Sequence, residues 1–167
     1  MSSALNDMLL QGLQRLGSMA FNRGAVVVGA TTTAITSTVA INYAIRGAFP
    51  APRAAFTNQA LVAPTGETFY VQPASTTVYY TVAVNAAGDV RTFQGSFVGQ
   101  DLTARGGGVA KGDGRVRDVD LDWAPIALIR IATNGSTTFT PGTTALNAAG
   151  LTVTITDVCL LPLSMTP

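Results

Sequence analysis

The sequence predicts a mainly β fold: a β-sandwich or jelly roll of about eight strands, preceded by an N-terminal amphipathic helix. Three observations predict it. Apolar and polar residues alternate at period two through several segments after residue 24. Gly, Asn and Pro punctuate those segments at short intervals. A helical period occurs only near the start of the chain. A length of 167 residues suits one domain, or one domain with an arm. The division expected is a helical arm over 1–23 and a single β domain over 24–167, with a glycine-rich loop at 99–114.

The helix is expected over residues 3–20. Ser3 is a suitable N-cap, and Asp7 lies in the first turns, where a negative charge suits the helix dipole. Leu5, Met8, Leu9, Leu13, Leu16 and Met19 form one apolar stripe, with Asp7, Gln11, Gln14, Arg15 and Ser18 on the other side. A helix this short has little stability alone, so its stripe must be buried against something. These six apolar residues are the candidate partner-docking residues.

Residues 25–33 are expected to hold the first strand. In residues 35–46, Ile35, Val39, Ile41, Tyr43 and Ile45 alternate with Thr36, Thr38, Asn42 and Arg46, as in a strand with one buried face, until Pro50 and Pro52 end the run. A short strand follows at 68–72, then a long one at 76–85 with Val78, Tyr80, Val82 and Val84 on one face. Asn85, Ala86, Ala87 and Gly88 make a hairpin loop, with Gly88 free to take positive φ, and the chain returns over 90–98. Residues 126–133 form a strand, Asn134 and Gly135 a tight turn, and 136–140 the expected partner. Residues 151–157 close the set after a second Asn-Ala-Ala-Gly at 147–150.

Composition excludes several chemistries. The chain has no histidine, which removes histidine-dependent triads and histidine metal ligands, and its one cysteine, Cys159, removes an internal disulfide. Cys159 stands in an apolar run and reads as a small buried hydrophobe. A net charge of +1 and scattered arginines give no footprint for nucleic acid. No basic region precedes the first apolar residues, so no secretory signal is expected. Residues 24–45 carry no charge and are long enough to span a bilayer, but their Thr, Ser and Asn content and their alternation favour strands, so no membrane association is expected.

Four further features bear on chemistry. The loop residues Arg105, Gly106, Gly107, Gly108 and Lys111 lack the Gly-Lys-Ser/Thr and following helix of a phosphate-binding loop, and read as a possible interface loop. Asp118, Asp120 and Asp122 alternate with Val119, Leu121 and Trp123, which reads as a strand with a solvated acidic face and not a calcium cage. Glu67 could join an aspartate in a glycosidase pair, but spacing does not bring two carboxylates to one cleft. Tyr79 and Tyr80 face opposite ways on their strand, and an exposed Tyr79, together with Trp123, could stack on a sugar ring. No catalytic residues, metal ligands or cofactors are assigned.

Residues 36–49 (Thr-Ser-Thr-Val-Ala-Ile-Asn-Tyr-Ala-Ile-Arg-Gly-Ala-Phe), the Ala/Thr/Asn-rich stretch after them, residues 79–90 and Gln94-Gly95 carry a resemblance. Over about residues 35–100 the chain resembles virion structural proteins of tailed bacteriophages, especially capsid decoration (cement) proteins and head-fibre bases. The resemblance implies a β-rich homo-oligomer, commonly a trimer, seated on the major capsid protein in a virion assembled in the host cytoplasm. It brings no catalytic residues. Low charge (11%) independently suits a protein that works by burying surface against neighbours. The expected function is therefore non-enzymatic stabilisation of the capsid lattice. The alternatives are a tail or head-fibre adaptor anchored by the N-terminal helix, and a carbohydrate-binding module for host adsorption.

Overall fold

The computed structural model describes residues 17–96 and 116–159. They form nine strands, all paired antiparallel: β1 (Met19–Ala20), β2 (Val26–Val28), β3 (Ala34–Ser37), β4 (Tyr43–Ala44), β5 (Phe56–Ala60), β6 (Thr77–Asn85), β7 (Val90–Gln94), β8 (Trp123–Thr133) and β9 (Leu151–Asp157). One sheet runs β7-β6-β8-β9, a second β2-β3-β5, and β1 pairs with β4. No helix occurs among the described residues, and none there is long and apolar enough to cross a membrane.

The helix expected over 3–20 ends differently. Met19 and Ala20 are strand, in register with Ala44 and Tyr43. Ser18 Oγ donates to the Leu121 carbonyl (2.6 Å) and accepts from the Arg46 N–H (2.9 Å). The Asn22 side chain bonds to Ala40 O and to the Asn42 N–H. These long-range bonds satisfy the backbone in a way a helix would compete with, so the β architecture begins before residue 24. Leu5, Met8, Leu9, Leu13 and Leu16 lie outside the described residues, and Met19 is half-buried in β1.

The alternation in 35–46 predicts burial well and continuity poorly. Ile35, Ile41, Tyr43 and Ile45 are buried, but Val39 is 45% exposed and the run is two strands in different sheets. The break has a cause. Gly24 O accepts from the N–H groups of Thr38 and Val39 and from Ser37 Oγ, so the chain turns out of β3 instead of pairing onward. A side chain at Gly24 would displace Ile41, since a Cβ there would stand 2.9 Å from Ile41 Cδ1.

β6 is the long strand expected, with Val78, Tyr80, Val82 and Val84 at 0% exposure. β8 contains a bulge opposite Val82 and Ala83. Ala124 and Ile126 point to the core before it, and Ala127, Ile129 and Ile131 after it. An extra residue shifts the face by one, so the bulge keeps both halves of the strand inward. Pro125 sits beyond the end of the β9 pairing, where β8 needs no ladder N–H on that side.

The expected pairing of 126–133 with 136–140 is not what forms. β8 pairs with β9, from Ala127↔Asp157 to Thr133↔Leu151. Asn134 Oδ1 accepts from the N–H groups of Ser136 and Thr137, which caps the turn and sends the chain away from β8. Phe139 then bridges to Gln72 and buries its ring edge-on against Tyr80, with centroids 5.8 Å apart. Residues 68–72 are likewise not a strand; only that bridge at Gln72 pairs. Apolar residues of all three sheets join one core cluster, including Ala20, Ile35, Ile41, Phe56, Tyr80, Ile129 and Phe139.

Candidate functional site

The outer face of the four-stranded sheet is partly covered. Thr81 and Phe93 are in register on that face, and both are buried. The cover is the segment leading into β8. Arg117 places its guanidinium over the Phe93 ring at 5.5 Å, and Trp123 meets the same ring edge-on at 5.5 Å. Val119 and Leu121 are half-buried, while Asp118, Asp120 and Asp122 are exposed. The inward and outward alternation expected for 118–123 holds, although residues 116–122 are not strand. Asp122 pairs with Arg46 at 2.8 Å. Among the described residues no three acidic or cysteine side chains converge in a metal-binding group.

Arg117 also closes one side of a cavity of about 580 Å³, bounded by Glu67, Phe69, Tyr70 and Gln94. Each wall has a local cause. Glu67 ends a turn in which its N–H bonds to Pro64 O and Gly66 takes φ 84°, a conformation only glycine adopts at little cost. That turn aims the carboxylate at Arg117, which engages it through both Nη1 and Nη2, the Nη2 bond being 2.7 Å. The hydrogen bond from Arg117 holds the Glu67 carboxyl below its ordinary value, against a smaller opposing effect of burial. The same bond raises the guanidinium of Arg117 above its usual value.

Gln94, at the end of β7, clamps the opposite wall. Its Oε1 accepts from the Tyr70 N–H and its Nε2 donates to the Tyr70 carbonyl, both at 2.8 Å. A side-chain amide thus replaces a neighbouring strand for this one residue. The Tyr70 side chain is left free at the mouth, and the residue is 73% exposed. Phe69 packs the other way, edge-on to buried Tyr80 at 6.4 Å. The cavity therefore offers an exposed ring, a fixed carboxylate–guanidinium pair and a firm apolar floor.

The sugar platform expected from Tyr79 and Trp123 is not assembled. Tyr79 is in register with Arg130, and Trp123 with Asn85 at the far end of the same ladder. Six residues of strand separate the two positions, roughly 20 Å. Glu67 meets an arginine, and no second carboxylate lines its cavity among the described residues. The interface-loop residues Arg105, Gly106, Gly107, Gly108 and Lys111 lie outside the described residues. Cys159 is half-buried against the core.

Sequence reasoning missed Phe69, Tyr70, Gln94 and Arg117 as a group. One signal was present: Glu67 is the chain's only glutamate, and two aromatic residues follow it within three positions. Its partner Arg117 lies fifty residues away, which no local pattern reveals. Compared with known proteins, the chain matches no protein-family model, no curated protein and no solved structure.

Proposed function

We propose that this chain is a non-enzymatic β-sandwich protein of a bacteriophage virion, which binds and stabilises the capsid lattice as a homo-oligomer, a trimer, in contact with the major capsid protein. The observation that carries the reading is exposed aromatic surface at the point where the N-terminal segment enters the domain. Phe49 is 76% exposed and stacks on Phe21, with centroids 5.5 Å apart and planes 18° from parallel. Two residues before Phe49, the Gly47 N–H bonds to Gly17 O, where the described chain begins. The segment whose sequence holds Leu5, Met8, Leu9, Leu13 and Leu16 thus joins the domain beside this pair, of which Phe49 is exposed and Phe21 half-buried. An apolar stretch of sequence that enters the domain next to an exposed aromatic side chain suits attachment to a neighbouring protein surface. The low charge of the chain and the resemblance of residues 35–100 support the same reading.

Imaging of the particle that carries the protein tests it. Hundreds of copies on the shell are expected, together with an oligomer by light scattering at micromolar concentration. Six or twelve copies at a vertex would replace lattice binding with an adaptor role. A strict monomer with no particle-bound form would overturn the proposal.

A further inference from the structure

We propose that the cavity between Tyr70 and the Glu67–Arg117 pair is a binding subsite for a neutral saccharide, with one pyranose ring stacked on Tyr70 and its hydroxyls bonded to the pair. This is separate from the lattice attachment proposed above, which rests on different residues, Phe21 and Phe49.

The volume, about 580 Å³, falls within the ~300–1,000 Å³ typical of small-molecule sites. Charge then narrows the ligand. Arg117 and Glu67 neutralise each other through two parallel hydrogen bonds. An anion would have to displace the carboxylate, and a cation the guanidinium. What the pair keeps is hydrogen-bonding capacity. A guanidinium has five N–H donors and a carboxylate about four acceptor positions, and the pairing uses two of each. The side chains remain 36% (Arg117) and 39% (Glu67) exposed, so the unused groups are reachable. Adjacent donors and acceptors held in one plane match vicinal hydroxyls, each of which donates and accepts.

Rigidity favours the same ligand. The Arg117 guanidinium rests on the Phe93 ring, and the Tyr70 backbone is fixed on both sides by Gln94. The guanidinium and the Tyr70 backbone are held before a ligand arrives, so that only the Tyr70 ring has to be ordered, which lowers the cost of binding. Tyr70 supplies an exposed aromatic face for the C–H face of a sugar, and its exposure is otherwise unexplained in a residue whose backbone is so firmly held.

The experiment is an amide-shift NMR titration of the full chain with methyl α-mannopyranoside, methyl β-galactopyranoside, maltotriose, cellotriose and triacetylchitotriose. At least one is expected to give saturable shifts centred on Glu67, Tyr70 and Arg117. Tyr70→Ala, a change at an exposed ring, should leave the melting temperature unchanged and weaken binding about tenfold or more. Glu67→Gln should weaken the neutral sugar and leave Arg117 able to retain an anion, read with sialic acid as probe. Tyr79→Ala should change nothing. The proposal is overturned if no sugar of the panel gives saturable shifts, if the binding survives Tyr70→Ala, or if it is lost in Tyr79→Ala instead.

Discussion

Tyr80 donates its phenolic hydrogen to Gln72 Oε1 at 3.1 Å in the centre of the core, where both residues are fully buried. The pair is complete on every side. Gln72 Nε2 donates to the carbonyls of Thr76 and Ile131, and the Tyr80 oxygen accepts from Gln94 Nε2. A buried polar group costs stability unless it is paired, so this network fixes one arrangement of the segment before β6 against β8. It also links the core to the cavity wall, because Gln94 is the residue that holds Tyr70.

Tyr80→Phe should therefore destabilise the fold by about 1–3 kcal/mol, since it leaves Gln72 Oε1 and one Gln94 N–H bond unmet. Urea denaturation measures this. Gln72→Leu should cost more, because it leaves the buried Tyr80 hydroxyl without its acceptor and also removes the bonds that Gln72 Nε2 donates to the Thr76 and Ile131 carbonyls. Equal stability of Tyr80→Phe and the parent would show that water replaces the bond.

Alkali should act through the same residue. Burial pushes the Tyr80 phenol well above its ordinary value of 10.0, and burial also raises Tyr43. A raised native pKa means that the folded state holds the proton more tightly. That stability is fully present below pH 10 and is lost as pH rises from there toward the native value. Denaturation between neutral pH and pH 11 should show the decline, and Tyr80→Phe should flatten part of it. A parent whose stability does not change over this range would contradict the burial argument.

Acid should act through Glu67 in the opposite sense. Its carboxyl is depressed by the hydrogen bond from Arg117, so its contribution is present above the ordinary carboxyl value and is lost as pH falls through the native one. The pair is solvent-accessible, so the effect on global stability is expected to be small. The sharper test is the carboxyl chemical shift of Glu67, which should titrate below its value in Arg117→Ala. Coincident titrations would break the pair.

The two Asn-Ala-Ala-Gly segments should tolerate alanine unequally. Gly88 and Gly150 share φ near +84° (83° and 85°), so each loses backbone freedom when replaced. The surroundings differ. A Cβ at Gly88 meets nothing nearer than Arg53 Cδ at 3.7 Å, whereas one at Gly150 falls on Thr137 Oγ1 and the Asn134 side chain. Gly88→Ala should cost about 1–2 kcal/mol from backbone strain alone. Gly150→Ala should cost a further 1–3 kcal/mol, roughly the penalty of overpacking. Thermal melts of both variants settle the order.

Truncation separates arm from domain. Removal of residues 1–16 should leave the melting temperature near that of the full chain while oligomerisation or particle binding is lost. Leu13→Asp should do the same. Removal of residues 1–22 takes away β1, the Ser18 bonds to Leu121 and Arg46, and the Asn22 clamp on residues 40–42, so it should lower the melting temperature by several degrees or prevent folding. Equal melting of the two truncations would show that these bonds contribute nothing.

Period-two alternation determined the inward face of β6 and the burial of Ile35, Ile41, Tyr43 and Ile45 directly from sequence, and the turn residues Asn85 to Gly88 determined the hairpin with positive φ at Gly88. Alternation reports one buried face, because successive side chains of a strand point opposite ways. It cannot report which strand lies alongside, or whether the second face is also covered. Tertiary structure decided both. β9 and not residues 136–140 pairs with β8, because Asn134 caps a turn outward and Phe139 finds its place against Tyr80. Thr81 and Phe93 are buried on the outer face because Arg117 and Trp123 return across it. The cavity beside them exists only because Glu67 and Arg117, fifty residues apart, meet there. Such contacts depend on the path of the whole chain, which local spacing does not encode.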